Sequence, residues 1–244
     1  SDPVVVTVNQ TPNSGVTVGG NTTFCSGGSV TLTSQGTGTY LWSPGNETTQ
    51  SISVTQSGNY SVTVTDNGCS ATSGTTTVTV NPTPTATITP QGSTTFCQGG
   101  FVVLEASGGG TYQWNTGAQT QSISATQGGS YSVIATVNGC SDTSDPVVVT
   151  VNQNPSVSLS PFAALCSNAQ AVAISGGSPS GGFYTLDGTA ATSIEPWQLS
   201  NGAHTIVYSY TDGNGCSNTA TQQVTINAAP TVTLSGLNSG YALA

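Results

Sequence analysis

Six cysteines recur in this chain as three early-and-late pairs, and that recurrence limits the fold more than any other feature. Asn-Gly-Cys-Ser stands at 67–70, 138–141 and 214–217, and Asn-x-x-Pro begins at Asn9, Asn81, Asn152 and Asn227. These Asn positions lie 72, 71 and 75 residues apart (81 − 9, 152 − 81, 227 − 152). Thr-Thr-Phe-Cys-x-Gly-Gly occurs at 22–28 and again at 94–100. A period of this length marks an array of small units, each of about 70 residues and too small for a large core. The simplest pairing is one bridge per repeat: Cys25 with Cys69, Cys97 with Cys140, and Cys166 with Cys216. Those partners lie 44, 43 and 50 residues apart (69 − 25, 140 − 97, 216 − 166), with none of the close Cys-x₂-Cys spacing of a zinc site. An even set of repeated cysteines implies an oxidising compartment. Each bridge would stabilise its unit by roughly 4 kcal/mol through loop closure.

The repeat also divides the chain. Residues Ser1–Gln10 match Ser144–Gln153 letter for letter, and in the second copy this stretch ends a repeat. Residues 1–11 are therefore expected to be the last strand of a preceding repeat. Three repeats follow at 12–82, 83–153 and 154–228, the third divergent, and 229–244 is expected to start another.

Strand signals fill each unit. In the second, Thr85–Thr89, Phe101–Ala106, Tyr112–Asn115, Ser122–Thr126, Ser130–Val137 and Asp145–Asn152 are short apolar or alternating runs set between Gly, Asn and Ser. Strands of this length at about ten-residue spacing predict an all-β fold of tandem immunoglobulin-like β-sandwich repeats, set end to end. Trp42 and Trp114 fall on the third strand, where such sandwiches bury a Trp, and Tyr60 and Tyr131 stand where a tyrosine corner would be. Joints containing Pro should be semi-stiff, and an eight-residue strand plus a linker would give a rod segment of roughly 35–40 Å per repeat.

Charge excludes several functions. The 244 residues contain no Lys or Arg, nine Asp plus Glu and one His, for a net charge of −9. Without cations the chain has nothing to neutralise phosphates, so nucleic acid and anionic lipid are excluded as electrostatic partners. Salt bridges are not expected, so stability should depend weakly on salt and pH. No apolar run is long enough to span a membrane, and direct membrane insertion is not expected.

The third copy resembles a known group. Leu165-Cys166-Ser167, Gly176-Gly177-Ser178-Pro179, His204-Thr205-Ile206 and Tyr210–Ala220 are similar to the immunoglobulin-like or PKD-like repeats of giant cell-surface proteins of Bacteroidota. The first two copies resemble related repeats through Phe-Cys-x-Gly-Gly, Tyr-x-Trp and Gly-x-Tyr-Ser-Val-Thr-Val. The resemblance implies type IX secretion and display at the cell surface, as in gliding adhesins of the SprB type. It implies a non-catalytic stalk or fibre segment of a large adhesin or gliding-filament protein. The alternatives are a glycan- or surface-binding module and the spacer of a secreted multidomain hydrolase. Expected partners are neighbouring repeats of the same chain, with surface polysaccharide or other cell-envelope proteins as further candidates.

No residue pattern calls for catalysis, and no cofactor is expected. His204 alternates with apolar neighbours and reads as a structural residue on a strand. Asp187 and Glu195 flank a loop without the paired pattern of a glycosidase. Calcium is the one ion to weigh, with Asp142, Asp145 and Asp212 as candidate ligands, yet neither cluster offers the six to eight oxygens it takes. Asp142 to Asp145 reads more simply as a turn. Trp197, in the divergent Ile194–Leu199 stretch, is the candidate for stacking against a sugar.

Overall fold

The computed structural model describes residues 2–232. Ser1 lies outside the described residues, as does most of the expected start of a following repeat, from 233 onward. The described chain is all-β: 26 strands and one 3₁₀ turn, with no α-helix among the described residues. No helix among the described residues is long and apolar enough to cross a membrane.

The first repeat shows how its residues make the fold. Its strands are β1 (Val16–Val18), β2 (Thr23–Cys25), β3 (Val30–Ser34), β4 (Thr39–Ser43), β5 (Ser51–Val54), β6 (Gly58–Asp66), β7 (Cys69–Thr72) and β8 (Thr76–Asn81). One sheet runs β1-β3-β5; the other runs β2-β8-β6-β4, with β7 also on β6. Alternation puts Val30, Leu32, Ile52 and Val54 of the first sheet in one buried cluster with Trp42, Val62, Val64 and Val78 of the second. The two sheets therefore share a core, and Trp42 is wholly buried within it. Its Nε1 donates to Thr49 O at 2.9 Å, which satisfies the one polar atom the indole brings inside.

One pairing in that repeat runs against the others. β2 lies parallel to β8, with Thr23 opposite Thr79, Phe24 opposite Val80 and Cys25 opposite Asn81. β6 and β7 form a hairpin through Asn67 and Gly68, both at positive φ (47° and 81°), the conformation that a two-residue type I′ turn requires. Cys69 is the first residue after that turn.

The second repeat follows the same plan. Its strands are β9 (Thr87–Pro90), β10 (Thr95–Cys97), β11 (Val102–Ser107), β12 (Thr111–Trp114), β13 (Ser122–Ala125), β14 (Gly129–Tyr131), β15 (Val133–Val137), β16 (Cys140–Thr143) and β17 (Val147–Asn152). The six expected strands lie within two residues of their expected bounds, the fifth divided between β14 and β15. Two strands were not legible: β10, parallel to the end of β17, and β16, paired with β15. β16 takes in Asp142 and Thr143, so the stretch expected as a turn at Asp142–Asp145 begins as the end of a strand, with Ser144 and Asp145 following it outside any strand.

The third repeat is organised around a long hairpin, β25 (Gly202–Thr211) with β26 (Ser217–Asn227). β22 (Phe183–Leu186) pairs with β25, and β19 (Leu165–Cys166) runs parallel to β26. β18 (Ser158–Leu159) pairs with β21 (Gly177–Ser178), β20 (Val172–Ala173) with β24 (Ser193–Ile194), and β23 (Thr189–Ala190) with β22. The core gathers Ile194, Ile206, Tyr208, Val224 and Ile226. The described residues divide into two compact units, 2–94 with Val102–Val149 and Thr95–Phe101 with 150–232.

Residues 2–11 form no strand, although ten residues of identical sequence end in β17. There, β10 and β14 flank β17 and Val149 is buried at 2% exposure. Around Val4–Val8 no such neighbours pair, and Val4 is 89% exposed. Composition alone does not make a strand; the ladder partners do.

Candidate functional site

The chain's most specific chemistry lies where one repeat meets the next. Cys25 is bonded to Cys140, and Cys97 to Cys216, with Cα–Cα distances of 5.6 and 5.5 Å. Cys69 and Cys166 are free thiols. This overturns the one-bridge-per-repeat pairing: each bridge joins a repeat's early strand to the turn cysteine of the repeat after it.

Strand geometry explains the correction. The parallel pairing of β2 with β8 carries Cys25 to the far end of the last strand, beside Asn81. Cys69 sits at the other end of β6, past the Asn67-Gly68 turn. A nine-residue strand spans about 30 Å, whereas bridged Cα atoms must lie within about 7 Å. Cys25 and Cys69 therefore occupy opposite poles of one repeat and cannot meet.

Asn81 organises the joint. Its carbonyl accepts from Ser26 N at 2.9 Å, and its Nδ2 donates to Asn138 O at 3.0 Å. Cys140 Sγ lies 3.9 Å from the Asn81 carbonyl. Thus the Asn of Asn-x-x-Pro in one repeat grips the Asn-Gly-Cys turn of the next. The co-occurrence of the two motifs at one period was the available signal, but spacing alone does not say that they touch. In the next joint, Gln98 N donates to Asn152 O at 2.8 Å and Asn154 Nδ2 to Gln98 O at 3.3 Å.

The acidic candidates are engaged by the backbone. Asp142 Oδ2 accepts from Ala86 N at 2.8 Å, and Asp212 Oδ1 accepts from Asn214 N and Cys216 N, both at 2.9 Å. Asp142 and Asp212 lie in different compact units, and no group of three or more metal-ligating side chains occurs among the described residues.

His204 has a role that composition hid. On β25 it is 8% exposed; its Nδ1 lies 2.6 Å from Asp187 Oδ2, and its Nε2 lies 2.8 Å from Ser200 O. Both neighbours are acceptors, an arrangement that favours the protonated ring, in which both nitrogens donate. The hydrogen bond to Asp187 raises the His204 pKa above its ordinary value, helped by the Ser200 carbonyl. Asp187 is held below the usual carboxylate range by that bond and by Thr205 N at 2.8 Å. The expectation of a chain without salt bridges is corrected here: one ion pair stands in the third repeat. Both ring nitrogens thus face oxygens of the protein itself.

Trp197 sits on the 3₁₀ turn Pro196–Gln198 and is 55% exposed. That turn borders a surface cavity of about 520 Å³, lined by Leu186, Asp187, Thr192, Glu195, Gln198 and Leu199 among others. Glu195 accepts a hydrogen bond from Gln198 Nε2 on its rim.

No family model matches the chain, and no curated protein matches it. Among solved structures, a Ca²⁺-stabilised adhesin with which an Antarctic bacterium binds ice is similar at 16% identity and a TM-score of 0.39, over 89% of this chain and 75% of that one. A 1.5-MDa bacterial ice-binding adhesin is similar at 16% identity and a TM-score of 0.36, over 91% of this chain and 100% of that one. A chain from the complex of the mouse coronavirus receptor-binding domain with its murine receptor is similar at 13% identity and a TM-score of 0.35, over 57% and 100%.

Proposed function

We propose that this chain is a non-catalytic segment of an exported cell-surface adhesin, a run of tandem immunoglobulin-like sandwiches that holds other parts of the protein away from the cell. The observation that carries this reading is the Cys25–Cys140 bridge, which ties a repeat to its successor alongside the peptide link. A covalent staple across each joint resists extension, a property that suits a stalk. Structural disulfides also belong to oxidising, extracellular settings. The immunoglobulin-like assignment is supported by Trp42 and Trp114 in the cores. It is further supported by the Tyr60 and Tyr131 hydroxyls, which donate to Gln56 O and Gln127 O, each four residues upstream.

Pulling the chain by its ends in a force spectrometer tests this. The loops closed by Cys25–Cys140 and Cys97–Cys216 overlap, so the shortest covalent route between the two bridges is the 43 residues from Cys97 to Cys140 (140 − 97). The oxidised chain should therefore extend roughly 500 Å less than the reduced one, at about 3.5 Å per residue. Equal extension with and without reductant would remove the mechanical reading.

A second reading, glycan binding, is favoured by Trp197, an exposed aromatic ring on the turn whose neighbours Glu195, Gln198 and Leu199, but not Trp197 itself, line a surface cavity. Binding to a glycan array that is lost on Trp197→Ala would establish it; an array blank for both proteins would end it.

A further inference from the structure

Three early cysteines hold one register against the last strand of their own repeat. Cys25 is opposite Asn81, Cys97 opposite Asn152 and Cys166 opposite Asn227, each through a parallel pairing. The backbone bond beyond each is also the same, from Ser26, Gln98 and Ser167 N to the Asn carbonyl. Cys25 and Cys97 are bonded forward to the turn cysteine of the next repeat; Cys166, identically presented, is free and exposed.

The other free thiol mirrors it. Cys69 follows the Asn67-Gly68 turn as Cys140 follows Asn138-Gly139, with matching positive φ values. Its surroundings are those of the formed joint. Asn9 Nδ2 donates to Asn67 O at 2.8 Å, as Asn81 Nδ2 donates to Asn138 O at 3.0 Å. Cys69 Sγ lies 3.7 Å from Asn9 O, as Cys140 Sγ lies 3.9 Å from Asn81 O. Every part of the joint is in place except a Phe-Cys strand beside Asn9. A second, independent observation points to that strand. Val4, Val5, Val6 and Val8 stand exposed, while the identical sequence at Val147–Asn152 is paired with Thr95–Cys97 in parallel.

We propose that Cys69 and Cys166 are half-cystines of inter-repeat bridges: Cys69 bonds the early-strand cysteine of a like repeat whose last strand is residues 4–9, and Cys166 bonds the turn cysteine of a like repeat that follows Asn227. None of the six cysteines of this chain is then unpaired, and each of its three repeats is stapled to both neighbours. Each bridge forms by thiol–disulfide exchange with a disulfide donor. One cysteine thiolate attacks the donor, the second displaces it, and the donor leaves as two thiols carrying the two electrons and two protons lost by the pair. The proposal stands apart from the adhesin reading, because it concerns covalent connectivity and not what the chain binds.

The identity of Ser1–Gln10 with Ser144–Gln153 supplies a direct test. Placing a copy of residues 83–143 ahead of Ser1 rebuilds a complete second-type repeat with its natural junction. The extended chain is refolded with oxidised glutathione, alkylated, and mapped by chymotryptic peptides under non-reducing conditions. The Cys69 peptide should be linked to the copied Cys97, and changing that copied cysteine to Ser should return Cys69 to the alkylated pool. A Cys69 that is alkylated, or linked to Cys25, while Cys25–Cys140 is intact overturns the proposal. Loss of Cys25–Cys140 even in the original 244-residue chain overturns it too, because the joint it is patterned on would not exist. Should the extended chain alone misfold, a second chain carrying a copy of residues 153–227 after Asn227 decides. There Cys166 should be found bonded to the copied Cys216, and a free Cys166 beside an intact Cys97–Cys216 sinks the idea.

Discussion

Nδ1 of His204 lies 2.6 Å from Oδ2 of Asp187, which makes the chain's one histidine and one of its nine acids an ion pair within the third repeat. The ring is nearly buried while the carboxylate is about half exposed, so solvent screens the pair from one side only.

That pair gives the third repeat a pH dependence with two limbs. His204 has a raised folded pKa, so its contribution is full below the unfolded value of about 6.5 and is lost as pH rises through the folded value. Asp187 has a lowered folded pKa, so its contribution is present above about 3.9 and is lost as pH falls through the folded value. Thermal melting followed from pH 3 to 9 should show greatest stability between about pH 4 and 6.5. His204→Gln should flatten the alkaline limb; an unchanged limb in that variant would assign it to another group.

The bridges should behave as cross-joint units. Cys25→Ser and Cys140→Ser should each destabilise by about 2–5 kcal/mol, and the double variant by no more than either. Cys69→Ser should stay within about 0.5 kcal/mol. Urea denaturation of the four proteins checks this, and a large effect of Cys69→Ser alone would restore the one-bridge-per-repeat pairing.

Two tryptophans should separate cleanly. Trp42 is wholly buried with its Nε1 bonded to Thr49 O, so Trp42→Ala should cost about 3–5 kcal/mol. Trp197→Ala, on an exposed 3₁₀ turn, should change stability by less than about 0.5 kcal/mol. Tryptophan fluorescence during unfolding reads both.

The Tyr131 hydroxyl donates to Gln127 O at 2.9 Å. Tyr131→Phe keeps the ring and removes only that bond, so a loss of about 0.5–1.5 kcal/mol is expected in chemical denaturation. Tyr60→Phe should match it, since Tyr60 bonds Gln56 O in the same way.

The sequence by itself determined the all-β class, the period near 72 residues and most strands of the second repeat. These are local properties: alternation and β-branching are written in neighbouring letters. It did not determine which cysteines meet. That choice rests on the parallel pairing of Thr23–Cys25 with Thr79–Asn81, a non-local contact that moves Cys25 to the pole opposite Cys69. The same limit hid the bond between Asp187 and His204, which are set face to face by the pairing of Phe183–Leu186 with β25. The ten residues shared by 1–10 and 144–153 make the point physically. A strand is completed by its neighbours' hydrogen bonds, so the sequence from Val147 to Asn152 is a paired ladder while its copy at 4–9 is exposed chain.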